Sequence, residues 1–217
     1  MIRRIKNSIW SVLNFLGVAG ILQLSWKGKY LSEKGWLKSF RLKRSIDKNG
    51  KPIPWCTYSF IQFIEPRLTK EMDAFEFGCG NSTLWYAERI KSIKAVEHDQ
   101  QWANFIQPLL PVNAKIIFRS LMANDEYSGE VNIDGKKYHI IIIDGRNRNQ
   151  CTYQAVQSLA ADGIIVFDNS QISEYAPAME FLHQQNFRRI DFFGMLPIVP
   201  TENCTTIFYR PNNCLNI

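Results

Sequence analysis

Residues 138–144 read YHIIIID, with four isoleucines in succession and an acid at the end. A strand with one wet face alternates apolar and polar residues; this one does not alternate. Seven residues are too few for a buried helix, and β-branched side chains favour extended backbone. The run is therefore expected to be a central strand of a parallel sheet, covered on both faces. A chain with such a strand must also supply helices for both faces, since parallel neighbours require crossover connections.

The flanking sequence supplies them. Strand patterns are read at 72–77, 93–98, 114–119, 162–168, 187–194 and 204–210, and helix patterns at 57–68, 81–91, 99–110, 149–161 and 171–185. Asn81 or Ser82 is expected to cap the second of these helices, and Asp162-Gly163 to turn the chain into its strand. The last two strands have no helix between them and are expected to form an antiparallel pair at one edge. Residues 120–137 interrupt the alternation, and Asp134-Gly135 there predicts a hairpin-like excursion. The expected fold is α/β, a doubly wound, mostly parallel seven-stranded sheet with a C-terminal antiparallel strand pair and an N-terminal helical extension.

A length of 217 residues suits one sizeable core with a small appendage. The turn-rich DKNGKPIPW sets the expected boundary, with an extension over 1–50 and the main domain over 51–217. The extension has eleven Lys/Arg against two acids, a net +9; the remainder has fifteen against eighteen, a net −3. A domain acting on nucleic acid would more naturally have its positive field near its site, so a nucleic-acid partner is not expected. The five cysteines (Cys56, Cys79, Cys151, Cys204 and Cys214) are scattered, with no CxxC pair, which favours a reducing cytoplasm over a disulfide or zinc framework. Residues 8–26 are apolar with basic flanks but are interrupted by Asn14, Gln23 and serines, and no cleavage site follows them. Two readings stand: an amphipathic helix through which residues 1–30 contact a membrane surface, or a helix packed on the core or a partner subunit.

In an open α/β sheet, ligands bind beyond the carboxyl ends of the strands. Those ends carry Glu76-Phe77-Gly78-Cys79-Gly80, Glu97-His98, Asp144-Gly145 and Asp168-Asn169. Four acids on one rim repel one another unless a cation or hydrogen-bond donors lie among them. The glycine turn lacks the third glycine of GxGxxG and the GK[ST] of a phosphate loop. An acid beside the turn opposes a pyrophosphate but suits an ammonium group, and an acid at the next strand end suits two ribose hydroxyls. S-adenosylmethionine has both features.

The E-x-G-x-G turn at 76–80, the acid at 97 and the seven-strand layout resemble class I S-adenosylmethionine-dependent methyltransferases over about residues 55–212. The resemblance implies a Rossmann-like sheet. It also implies that Glu76, Gly78, Cys79, Gly80, Asn81 and Ser82 surround the methionine end, that Glu97 binds the ribose, and that His98 and Ser120 lie near the adenine, with Asp144 also on the cofactor. Asp144 followed by Asp168-Asn169 further resembles metal-dependent O-methyltransferases of the catechol and caffeoyl-coenzyme A type. This implies catalytic roles for Asp144 and Asp168, with Mg²⁺ or Ca²⁺ held by Asp144, Asp168 and Asn169. The other reading has these acids capping loops or binding cofactor and substrate without metal. GNSTLW, IIIDGRNR and FYRPNNCLNI resemble bacterial methyltransferase-like proteins that accompany surface-polysaccharide synthesis.

Arg146 and Arg148 are either solvated charges or receptors for an anionic substrate. DGRN stands where an amino-methyltransferase of nucleic acids has [DNS]PP[YF], which points to oxygen of a small molecule or glycan as the acceptor. His139, His183, Trp85 and Tyr86 are expected to be structural, Trp55 and Tyr58 to close over the cofactor, and the 194–204 loop to form a substrate wall. The alternatives are a non-catalytic scaffold that binds the cofactor and, less favoured, an NAD-dependent oxidoreductase. The expected location is the cytoplasm, with membrane association if the extension binds lipid; no oligomeric state is assigned.

Overall fold

The computed structural model describes residues 2–122 and 125–217, with side chains from Lys6 onward. The chain forms two compact units, one of residues 1–51 with 197–199 and one of residues 52–196 with 200–217.

The first unit is helical, with α1 (Ile2–Phe15), α2 (Ala19–Ser25), α3 (Tyr30–Glu33) and α4 (Trp36–Leu42). The apolar stretch at 8–26 is two helices, not one. Gly17, at φ 72°, breaks it, and the helix pair is bent by 111°. No single helix among the described residues is long and apolar enough to cross a membrane. Trp36 donates its indole N–H to the Val199 carbonyl at 3.2 Å, which joins 197–199 to this unit.

In the second unit α5 (Tyr58–Ile64) precedes β1 (Asp73–Phe77), α6 (Asn81–Ala87), β2 (Ser92–Glu97), α7 (Gln100–Ile106) and β3 (Ala114–Phe118). After α8 (Glu126–Gly129) come β4 (Tyr138–Ile143), α9 (Arg148–Ser158), β5 (Leu159–Asp168), α10 (Ala176–Gln184), β6 (Arg188–Gly194) and β7 (Asn203–Tyr209). The sheet order is β3-β2-β1-β4-β5-β7-β6, with β7 antiparallel to both of its neighbours and the other six strands parallel. The expected fold class is the observed one. The isoleucine run is the middle strand of seven, and Ile140–Ile143 are all essentially solvent-free.

Two local expectations fail. Asp162-Gly163 makes no turn: β5 begins at Leu159 and runs through both residues, with a register irregularity opposite Tyr138–Ile140. Leu159 pairs with Tyr138 and Ile164 with Ile140, so Asp162 and Gly163 are carried in a bulge between paired positions. The excursion at 120–137 contains no hairpin among its described residues. It contains α8 and a 3₁₀ turn at Glu130–Asn132. Tyr127 and Val131 of this segment enter the main core beside Phe77 and Ile143, so burial on the sheet decides its shape.

An ion network fixes the same segment. Glu130 is 2% exposed, forms an ion pair with Lys94 Nζ of β2 at 2.8 Å and accepts from Arg119 Nε at 2.7 Å. Without Glu130, Lys94 keeps Asp134 as a partner at 3.1 Å and Arg119 is partly solvated, so Glu130→Ala is expected to cost about 1–3 kcal/mol in chemical denaturation.

Candidate active site

Strands β1 and β4 are neighbours, yet the chain leaves β1 toward β2 and β3 and leaves β4 toward β5. The crevice opened by that divergence lies above their carboxyl ends. Gly78 ends β1 at φ 94°, a left-handed conformation, and a Cβ there would lie 3.3 Å from the Asp144 carbonyl. Gly145 ends β4, and a Cβ there would lie 1.9 Å from the Tyr127 hydroxyl and 3.0 Å from the backbone of Phe77 and Gly78. Glycine is needed at 78 for its dihedral and at 145 for the close approach.

The four rim acids are held in four different ways. Glu76 is 1% exposed. Its Oε1 accepts from the Ser82 hydroxyl and its Oε2 from Thr83 Oγ1 at 2.5 Å, and Thr83 Oγ1 in turn accepts from the Gly80 N–H at 3.0 Å. This chain ties the glycine turn to the start of α6. It also moves the helix start: Gly80 occupies the cap position expected of Asn81 or Ser82, because the Ser82 and Thr83 hydroxyls are turned toward Glu76. Burial pushes the Glu76 carboxyl up to about 8, against the pull of the two hydroxyls.

Glu97 is also buried, but backbone donors surround it. Oε1 accepts from the N–H groups of His98 and Asp99 at 2.8 and 2.9 Å, and Oε2 from the Cys79 N–H at 3.1 Å. His98 Nδ1 lies 2.7 Å from Oε1 at an angle that makes no hydrogen bond. Glu97 thus joins the end of β2 to the glycine turn, with acceptor capacity left on Oε2. Trp102 of α7 donates its indole N–H to the Cys79 carbonyl at 2.8 Å and stands beside Gly80. Ser120 lies two residues beyond Phe118, the register partner of Glu97, and its hydroxyl accepts from the Met122 N–H at 3.1 Å.

Asp144 and Asp168 form the third and fourth sites. Arg148 donates from Nη2 to Asp144 Oδ1 at 3.1 Å, from Nε to the Gly145 carbonyl at 3.0 Å, and from Nη1 to the Asp168 carbonyl. It straps the ends of β4 and β5 together and lies over the Tyr175 ring. Its guanidinium is occupied inside the protein, whereas Arg146 is exposed. Asp168 Oδ1 accepts from Thr205 Oγ1 at 2.6 Å, and Thr205 is its cross-strand partner on β7. Thr205 Oγ1 also accepts from the Thr57 N–H at 3.1 Å, which draws residues 55–58 toward the rim. Burial raises both carboxyls. Arg148 opposes the rise at Asp144, while the Asp144 charge adds to it at Asp168.

Among the described residues, a trio whose ligand atoms lie within 4.8 Å of one another is Cys56, Asp144 and Asp168. It does not fit Mg²⁺ or Ca²⁺. A thiol is a poor ligand for a hard ion, and Arg148 already balances Asp144. Asn169, the third expected ligand, has left-handed backbone at φ 57° and donates its amide to Asn203 Oδ1 at 2.9 Å.

Three solved structures share the fold. A precorrin-6y C5,15-methyltransferase from Geobacter metallireducens aligns with a TM-score of 0.56 at 13% identity, over 70% of this chain and 87% of that one. A precorrin 8W decarboxylase from Methanobacterium thermoautotrophicum gives 0.52 at 16%, over 70% and 88%. A methyltransferase-like protein from Silicibacter pomeroyi gives 0.51 at 17%, over 74% and 91%. The fold is the Rossmann-like methyltransferase fold. No family model matches the chain, and no curated protein matches it. The similarity carries neither a catechol-type metal site nor a link to surface polysaccharides.

Tyr127, Trp102, Thr205 and Cys56 were not singled out from sequence for the site. Thr205 is legible only once β7 is known to pair with β5, and Tyr127 lies in the segment misread as a hairpin. Tyr58 is 3% exposed, so it lies beneath the rim, whereas Trp55 is half-exposed. His139 accepts from the Asp73 N–H at 3.1 Å, the structural role expected of it.

Gly145→Ala is expected to destabilise the fold by about 1–3 kcal/mol, the usual cost of overpacking. Adding Tyr127→Phe, which removes the atom nearest the new methyl, should recover part of that loss in a double-mutant cycle of denaturation midpoints.

Proposed function

We propose that this chain is an S-adenosylmethionine-dependent methyltransferase acting on an oxygen of a small-molecule or saccharide acceptor. The observation that carries this reading is Glu97, a buried carboxylate fixed at the end of β2 by three backbone N–H groups, one of them from the glycine turn. It keeps acceptor capacity that would suit the vicinal hydroxyls of a ribose. The turn at 76–83 has no basic residue and has Glu76 beneath it, which opposes a pyrophosphate and hence NAD. The same features suit a ligand with an ammonium group and no phosphate.

When bound, the cofactor supplies a methyl group on a positively charged sulfur. The residues that would hold it are the glycine turn and Glu76 at the methionine end, Glu97 at the ribose, and His98 and Ser120 beside the adenine. Burial raises the proton affinity of Glu76, and a cationic group beside it favours the charged carboxylate. Asp168 is the group placed to accept the acceptor hydroxyl's proton. Burial raises its proton affinity, Thr205 fixes one of its oxygens, and Asp144 with Arg148 sets the local charge. Arg148 acts as a positioning residue, and the exposed Arg146 is left for an anionic part of the acceptor. No step is assigned to a metal. The unpaired cysteines accord with a cytoplasmic location.

Calorimetry with S-adenosylhomocysteine and with NAD tests the reading. The former should bind and the latter should not; absence of S-adenosylhomocysteine binding would overturn the proposal. Glu97→Ala should weaken that binding by about 10–100-fold, the equivalent of a charge-assisted hydrogen bond.

Transfer of labelled methyl to saccharide and phenol panels identifies the acceptor and separates an enzyme from a scaffold. With the acceptor in hand, the rate should rise with pH above the ordinary carboxylate range, because burial and the neighbouring Asp144 charge raise the Asp168 carboxyl. The sign follows from the base form being the unprotonated one. Asp168→Asn should abolish that dependence and most of the turnover.

A further inference from the structure

We propose that α1 and α2 form an in-plane anchor for a lipid surface rich in anionic headgroups. No acid precedes Glu33, whereas Arg3, Arg4 and Lys6 lie in the N-terminal part of α1 and Lys27 and Lys29 follow α2. At helical spacing, Ile9, Val12 and Leu13 share one face of α1, continued by Leu16 just past its end, with Asn7, Ser11 and Asn14 opposite.

The apolar side chains are left uncovered. Phe15 is 90% exposed, Ile21 63%, Leu16 62%, Trp26 60%, Val12 57% and Ile9 55%. Soluble surfaces rarely gather this many large apolar groups unless something covers them. Trp10 and Trp26 meet with ring centroids 6.3 Å apart, holding the two helices around the break at Gly17.

The geometry opposes a membrane span and favours insertion along a surface. α1 has 14 residues, about 21 Å of helix, against the roughly 30 Å of a bilayer core. The 111° bend prevents the pair from acting as one straight rod. A helix lying in the interface needs only an apolar face with basic flanks, and an aromatic at the boundary adds to its hold.

Charge selects the occupant. Pairing through this face with a second copy would bring five positive charges against five, with no acid in the stretch to offset them. An anionic surface instead gains about 1 kcal/mol per basic residue near it. Apolar contact and charge together supply the two signals that stable surface anchoring needs.

The test is sedimentation of the full chain with vesicles of phosphatidylcholine containing phosphatidylglycerol, or of phosphatidylcholine alone. The chain should partition onto the anionic vesicles at least about 10-fold more strongly than onto the neutral ones, and high salt should reduce the difference. Reversing Arg3, Arg4 and Lys6 to Glu should remove most of that preference. Ile9→Asp with Leu16→Asp should abolish binding while leaving S-adenosylhomocysteine affinity and the melting transition of the sheet unchanged, which excludes misfolding as the cause. Equal partitioning of the wild type and the Ile9→Asp/Leu16→Asp variant would overturn the proposal. So would light scattering that shows a dimer dispersed by the same variant without vesicle binding by the wild type, since the face would then belong to a second copy.

Discussion

The close approach of Gly78 to Asp144 and Gly145, across the seam of β1 and β4, is the contact on which the rest of the site depends. The two strands lie side by side in register, Phe77 beside Ile143, and the chain then departs in opposite directions. A larger residue at either glycine would push the strand ends apart and displace Asp144, the glycine turn and Tyr127 of α8. The crevice exists because the topology diverges there, and its dimensions are set by the absence of side chains on both sides of the seam.

Four buried or half-buried acids surround that crevice, and each has a different partner. Hydroxyls serve Glu76, backbone N–H groups serve Glu97, a guanidinium serves Asp144, and a hydroxyl of the neighbouring strand serves Asp168. Carboxylates this close would repel one another if they were treated alike. The partners give the site groups with different tasks. Glu97 keeps acceptor capacity for a ligand, whereas Glu76 and Asp168 hold protons more tightly than free carboxyls do. Arg148 illustrates how a charge beside a site can be structural: its three donor nitrogens are used on the ends of β4 and β5.

The two units differ in the source of their order. The sheet unit buries its apolar residues around seven strands, while much of the apolar surface of α1 and α2 stays exposed. The uneven charge follows the same division, with the basic excess in residues 1–50 and a slight acidic excess in the rest. A segment that is apolar and basic but not buried is stable where its surroundings are apolar and anionic.

The fold class was legible because its signals are local: an unbroken isoleucine run must be covered on both faces, and alternating strand and helix periods require a parallel sheet. The glycine turn and the strand-end acids were legible for the same reason, since topology alone places strand ends on one rim. What sequence could not supply depended on contacts between distant residues. Thr205 reaches Asp168 because β7 inserts between β5 and β6, and Gly80 caps α6 because Ser82 and Thr83 turn toward Glu76. Tyr127 meets Gly145 because a segment with hairpin chemistry gains more by burying itself on the sheet. The sequence by itself determined the sheet, its rim and the acids upon it. Only the tertiary structure decided which donor each acid received, because the free energy of a buried carboxylate depends on neighbours that periodicity does not encode.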